Sequence, residues 1–189
     1  MQLAPGRSVC VFCGSRSGGD PAFAAAAADL GTALASAGLR LVYGAGDVGL
    51  MGAVAGAAIT AGGRALGVIP GHLVPREARG RPYGDQVVTE TMHERKKVMF
   101  MNADAIVALP GGPGTLDELF EVLTWRQLGL HAKPVLLLNV NGYWDPLLGL
   151  LAHVVGAGFA DASFLGYLRA HPDVRELMAD LDARLGRND

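Results

Sequence analysis

Five short, continuously apolar runs punctuate the chain: Val9 to Cys13, Arg40 to Tyr43, Ala65 to Ile69, Ala105 to Leu109 and Val135 to Asn139. Each is too short for a buried helix and is bounded by glycine, proline or polar residues, so each reads as a strand. None alternates between apolar and polar positions, which predicts strands covered on both faces, as in a parallel sheet. Helical segments lie between the runs. Strand, helix, strand in repetition, with right-handed crossovers, predicts an α/β fold: a doubly wound, Rossmann-like parallel sheet flanked by helices.

Helix boundaries follow from punctuation. Asp20–Pro21 and Asp145–Pro146 each place an N-cap before a first-turn proline. Gly38 stops the first helix, and Gly62–Gly63 stops one that begins near Leu50. His171–Pro172–Asp173 predicts the start of a last helix ending near Arg184. Between these elements, Pro70 to Gln86 is polar, rich in Gly, Pro and Arg, and aperiodic, and it reads as a long functional loop.

The length of 189 residues suits a single domain spanning the whole chain, and 50% hydrophobic with 18% charged residues predicts a substantial core. A formal charge of −2 offers no basic field for a nucleic-acid polymer, so a small ligand is the expected partner. Met1 to Arg7 lacks the apolar stretch of a secretory signal, and the Ala-rich run at 22–28 is too short for a membrane span; both predict a cytoplasmic protein. Cys10 and Cys13 are spaced as CxxC but lie on a strand, where they point to opposite faces and should not pair. The five histidines are scattered, so no metal centre is expected.

Three glycine-rich turns follow strands: Gly14–Ser15, Gly44 to Gly49, and Pro110 to Thr115. Ligands of open parallel sheets sit beyond the carboxyl ends of the strands, where helix N-termini present N–H groups to phosphate. Shared placement predicts one phosphate or nucleotide pocket, to which Gly14, Ser15 and Gly44 contribute. Gly44, Gly46 and Gly49 match GxGxxG, but after the second strand and without an acidic residue about 20 positions on, so the dinucleotide fingerprint fails. Glycines there also serve tight turns and close helix packing. The third turn, PGGPGTLDE from Pro110 to Glu118, joins a phosphate-type loop to two carboxylates. Thr115 and Glu118 also fit a capping box. Against that as the whole account, Glu118 one turn inside a helix would face the strand-end crevice.

These residues resemble a known family. Pro110 to Glu118 stands as PGGxGTxxE, preceded by Met92–His93–Glu94–Arg95–Lys96, and similar stretches run through Val11 to Ser15, Leu41 to Gly44, Val48 to Gly52 and Phe120 to Pro134. The chain is similar to the LOG-type phosphoribohydrolases, which release cytokinin bases from riboside 5′-monophosphates and are often mislabelled lysine decarboxylases. The resemblance implies Arg95 and Glu118 as the catalytic pair. It implies substrate contacts from Glu77, Arg95, Lys96, Gly111, Gly112, Pro113, Gly114, Thr115, Leu116, Asp117, Glu118 and Thr124. No cofactor is implied, and a homodimer with the active site near its interface is.

Chemistry agrees with the division of labour. N-ribosidic cleavage passes through an oxocarbenium-like sugar, beside which a carboxylate such as Glu118 stabilises the developing positive charge or activates water. Arginine is a poor acid at neutral pH, so Arg95 orients Glu118 or substrate. His93 reads as structural, Lys97 and Glu94 as solvated, and Met92, Met99, Met101 and Trp125 as core or interface. A pyridoxal-phosphate decarboxylase would need a Schiff-base lysine and a larger chain. The alternative of another class is a non-catalytic nucleotide or cofactor carrier on the same fold.

Overall fold

The computed structural model describes residues 7–77, 80 and 83–186, without the side chains of Arg76 and Glu77. Residues 1–6, part of the segment from which the absence of a leader was inferred, lie outside the described residues. Among the described residues seven strands pair in parallel in one sheet: β1 Ser8–Phe12, β2 Arg40–Tyr43, β3 Ala65–Pro70, β4 Asp85–Thr89, β5 Ala105–Ala108, β6 Val135–Leu138 and β7 Leu168–His171. Their spatial order is β4-β3-β2-β1-β5-β6-β7. The order reverses between β1 and β5, whose registers pair Val9 with Ala105 and Phe12 with Ala108. At such a reversal the crossovers leave in opposite directions and open a crevice at the carboxyl ends.

Helices cover both faces, as the uninterrupted apolar strands require. On one side α1 (Pro21–Ser36), α2 (Gly49–Thr60) and α7 (Val174–Leu185) pack on Val9, Val11, Leu41, Tyr43 and Val107. On the other, α4 (Met92–Met101), α5 (Pro113–Gln127) and α6 (Asp145–Gly156) pack on Cys10, Phe12, Val42 and Ile106. Cys10 and Cys13 fall in opposite layers and are free thiols, as strand alternation dictates. The alanine-rich α1 approaches α2 closely: a Cβ on Gly31 would lie 2.2 Å from the Val54 carbonyl oxygen.

The expected start and stop signals mostly hold. Asp20 caps α1 through the Ala22 N–H at 2.9 Å, with Pro21 in the first turn, and Asp173 caps α7 through Glu176. Asp145 is not an N-cap. Trp144 occupies that place, and the Asp145 carboxylate instead accepts from Asn139 Nδ2 at 2.8 Å.

Two strands have no counterpart in the five runs. β4 is an edge strand with four exposed residues, and β7 is an edge strand of four residues with only Leu168 buried. Half-solvated edges do not carry the continuous apolar signature of interior strands. The stretch read as one loop from Pro70 to Gln86 is correspondingly shorter. Pro70 ends β3, a 3₁₀ turn covers Gly71–Leu73, a short helix α3 covers Val74–Glu77, and β4 begins at Asp85.

Candidate active site

A cavity of about 550 Å³ opens at the carboxyl ends of β1 and β5. It is lined by Gly14, Ser15, Arg16, Ser17 and Gly18 after β1, by Gly44 after β2, by Pro110 to Thr115 after β5, and by Arg95 and Glu118. The topology creates this place. The glycine turns make it tight enough to be a site.

Close approach accounts for two of those glycines. The Gly14 N–H donates to Pro110 O at 3.1 Å, joining the first and third turns. A Cβ on Gly111 would lie 2.1 Å from Thr115 Oγ1 and 2.9 Å from Gly14 N, so any side chain there would part the turns. In the second turn, Ala45 has φ +60°, a left-handed conformation disfavoured for residues with a Cβ.

α5 begins at Pro113 with Gly112 as its N-cap and no side-chain cap, so Thr115 lies inside the first turn. The capping box proposed for Thr115 and Glu118 is therefore not formed. The first-turn N–H groups face solvent and cavity instead, where an anion would satisfy them. The capping box sits one helix earlier: Thr91 Oγ1 accepts from the Glu94 N–H at 3.1 Å, and the Glu94 carboxylate accepts from the Thr91 N–H at 3.2 Å. Glu94, read as merely solvated, thus fixes the start of the helix that carries Arg95.

Arg95 is 6% exposed. Its Nε donates to Val68 O at 3.1 Å and one terminal nitrogen donates to Gly44 O at 2.9 Å, so the guanidinium bridges the ends of β3 and β2. Glu118 is 8% exposed and lines the same cavity from α5. Its charge is felt at Cys13: burial first, and then the Glu118 carboxylate, push that thiol far above its ordinary range. Cys13 is therefore an inert wall of the cavity at neutral pH.

Lys96 turns away to neighbouring carboxylates. Its Nζ lies 2.9 Å from Asp117 Oδ2 and 3.1 Å from Glu121 Oε2, tying α4 to α5 beside the catalytic candidates. Burial alone would lower its pKa, but the hydrogen bonds and charges of Asp117 and Glu121 outweigh that and raise it. A raised folded-state pKa means that this ion-pair stabilisation is complete below the unfolded lysine value and is lost as pH rises through the folded one. Lys96→Met should cost about 1 kcal/mol at neutral pH, a cost that shrinks in strong alkali, and should lower kcat roughly tenfold by loosening Arg95 against Glu118. Denaturant titrations at pH 7 and above pH 10.5, with steady-state kinetics, check both.

Of the other expected substrate contacts, Leu116 is a partly buried residue of α5 packed against the core, Asp117 holds Lys96, and Thr124 is exposed on α5; none of the three lines this cavity. Glu77 ends α3, and its side chain lies outside the described residues. Gly80 is tied to the second glycine turn, because the Asp47 carboxylate accepts from the Gly80 N–H. His93 is exposed on α4.

The sequence reading missed several wall residues. Tyr143 donates its hydroxyl to Gly111 O at 2.6 Å and meets Phe23 edge to face at 5.4 Å, closing one end of the cavity. Met51 and Met99 add apolar wall, and Arg16 adds a cation. Arg16 had a sequence signal, a charged residue inside a post-strand glycine turn, whereas Tyr143 comes from a distant segment with no motif.

The family model described as "Possible lysine decarboxylase" matches residues 51–181. A probable cytokinin riboside 5′-monophosphate phosphoribohydrolase of Oryza sativa subsp. japonica is 49% identical over 94% of this chain and 77% of its own length. A cytokinin riboside 5′-monophosphate phosphoribohydrolase of Arabidopsis thaliana is 46% identical over 97% of this chain and 80% of its own length. Among solved structures, the molybdenum cofactor carrier protein of Chlamydomonas reinhardtii superposes with a TM-score of 0.74 at 22% identity, covering 96% of this chain and 99% of that one. That last likeness is one of fold. With near-half identity to the plant enzymes over almost its whole length, the chain belongs to the family of cytokinin riboside 5′-monophosphate phosphoribohydrolases.

Proposed function

We propose that the protein hydrolyses the N-glycosidic bond of adenosine-type nucleoside 5′-monophosphates, N6-modified ones included, releasing the free base and ribose 5-phosphate. One observation carries the reading: a buried carboxylate, Glu118, shares a cavity with the glycine turn at the start of its own helix. The 5′-phosphate would take the N–H groups of Gly112, Gly114 and Thr115 and the partial positive charge of the helix start. That anchoring brings the ribose toward Glu118. As the base departs with the bonding electrons and picks up a proton from solvent, positive charge builds on the sugar ring, and the Glu118 carboxylate balances it and takes a proton from the attacking water, which it later returns to solvent. Arg95, held by two backbone carbonyls, keeps the charge pattern around Glu118 in place.

A Schiff-base decarboxylase needs a lysine in the cavity, and the described lining includes none. A carrier would bind phosphate through the same turns but has no use for a buried carboxylate beside the sugar. We propose further a cytoplasmic homodimer. No described helix is long and apolar enough to cross a membrane, and Met101, Leu128 and Leu130, each more than 60% exposed, offer an apolar contact face at the C-terminal ends of α4 and α5, the two helices that carry the site.

Chromatography of reactions with AMP, isopentenyladenosine monophosphate and the corresponding ribosides tests the activity. Base should appear from both monophosphates and not from the ribosides. Recovery of both monophosphates intact would overturn the reading in favour of a carrier.

A further inference from the structure

Among the described residues two arginines line the cavity, and the structure uses them differently. Arg95 is buried and committed to the carbonyls of Val68 and Gly44. Arg16 is exposed on the loop after β1 and forms no ion pair or side-chain hydrogen bond among the described residues. The loop that carries it is nonetheless rigidly seated. The Leu50 N–H donates to Gly14 O and the Gly14 N–H to Pro110 O, each at 3.1 Å. At Gly49 the start of α2 touches the Ser15–Arg16 peptide so closely that a Cβ would lie 2.3 Å from the Ser15 carbonyl carbon and 2.5 Å from Arg16 N. The Arg16 backbone is thus wedged between two glycine turns, on the same rim as the open helix start at Gly112.

Among the described residues, the positive charge at that rim falls short of what a phosphate monoester carries. A helix start supplies about half an elementary charge, whereas a phosphate monoester carries nearly two negative charges at neutral pH. Glu118 is the one carboxylate among the described lining residues, so the cavity already holds an anion that a second anion must be kept from opposing. A planar guanidinium on a fixed backbone can engage two phosphate oxygens at once.

We propose that Arg16 is a specificity-determining residue that pairs with the substrate's 5′-phosphate and sets the preference for phosphorylated over unphosphorylated nucleosides. The inference rests on the phosphoribohydrolase reading for its substrate and on the cavity for its geometry. Because the phosphate is remote from the bond that breaks, Arg16 holds ground state and transition state alike, and its removal raises KM more than it lowers kcat. Because Arg16 is exposed, its pull on an anion is screened by salt.

Steady-state kinetics with AMP on wild type, Arg16→Ala and Arg16→Lys, at low and high salt, provide the test, together with calorimetric titration of each protein with ribose 5-phosphate. Arg16→Ala should raise KM about tenfold to thirtyfold and weaken ribose 5-phosphate binding by a similar factor, with kcat changed less than about threefold. Arg16→Lys should recover part of both losses, and the salt dependence of kcat/KM should flatten in Arg16→Ala. An unchanged KM, or a fall in kcat at constant KM, would overturn the proposal. Failure of the wild type to release adenine would sink the hydrolase reading alone. The titration then still decides the present one: weaker ribose 5-phosphate binding by Arg16→Ala sustains it, and equal or undetectable binding by both proteins overturns it.

Discussion

Glu118→Gln should reduce adenine release from AMP by about a thousandfold, roughly 4 kcal/mol of transition-state stabilisation, while the protein stays folded. The amide preserves the size and shape of a side chain that is 8% exposed, so packing beside Leu119 and Thr115 is retained. What disappears is the negative charge and the proton acceptor. Binding of ribose 5-phosphate should persist, because the glycine turn and helix start are untouched. A circular-dichroism melt within a few degrees of wild type, together with product titration, separates a chemical defect from a structural one. Retention of a tenth or more of wild-type activity would remove Glu118 from the mechanism. Glu118→Ala should be equally inactive but less stable, since it also empties buried volume.

How much of this arrangement could be read from the residues depends on where each signal resides. Interior strands announce themselves, because burial on both faces demands an unbroken apolar run, and Val9 to Val11 or Val135 to Leu138 have no other reading. The edges β4 and β7 are half in solvent, and residues such as Asp85, Gln86 and Arg169 hide them among loop residues. Glycine turns at strand ends pointed to the cavity because the carboxyl edge of a parallel sheet is where ligand-binding loops collect. The misplaced capping box shows the limit of a short motif. S/T-x-x-E occurs at both Thr91 and Thr115, and only the start of α5 two residues earlier, at Pro113, decides that the second is not a cap. Likewise, Lys96 beside Arg95 in sequence suggests a shared ligand. Consecutive helix residues point about 100° apart, and the carboxylates of α5 lie on the side that Lys96 faces. Tyr143 was out of reach altogether, since its place over Gly111 depends on how β6 and α6 are joined.

Gly44→Ala should be nearly as damaging as loss of Arg95 itself, although it adds one methyl group. That methyl would lie 2.0 Å from an Arg95 terminal nitrogen and 3.0 Å from the Met51 sulfur. Met51 can yield, being flexible. Arg95 cannot yield without loss, because the nitrogen in question already donates to Gly44 O while Nε holds Val68 O, and both bonds fix the buried guanidinium where it is. The alanine must therefore push the guanidinium off at least one carbonyl. Overpacking and a lost charge-assisted hydrogen bond together should cost about 2 to 4 kcal/mol in stability. A displacement on the order of 1 Å beside Glu118 should lower kcat about a hundredfold. The mechanism can be isolated from a generic glycine effect, because it acts through one partner. In an Arg95→Ala background the space beside Gly44 is vacant, so adding Gly44→Ala should cost well under 1 kcal/mol, a strongly non-additive cycle. Denaturant titrations of the four proteins check this. Additive costs would mean that Gly44 is required for the turn itself, and Arg95 would then owe its position to α4 rather than to the room this glycine leaves.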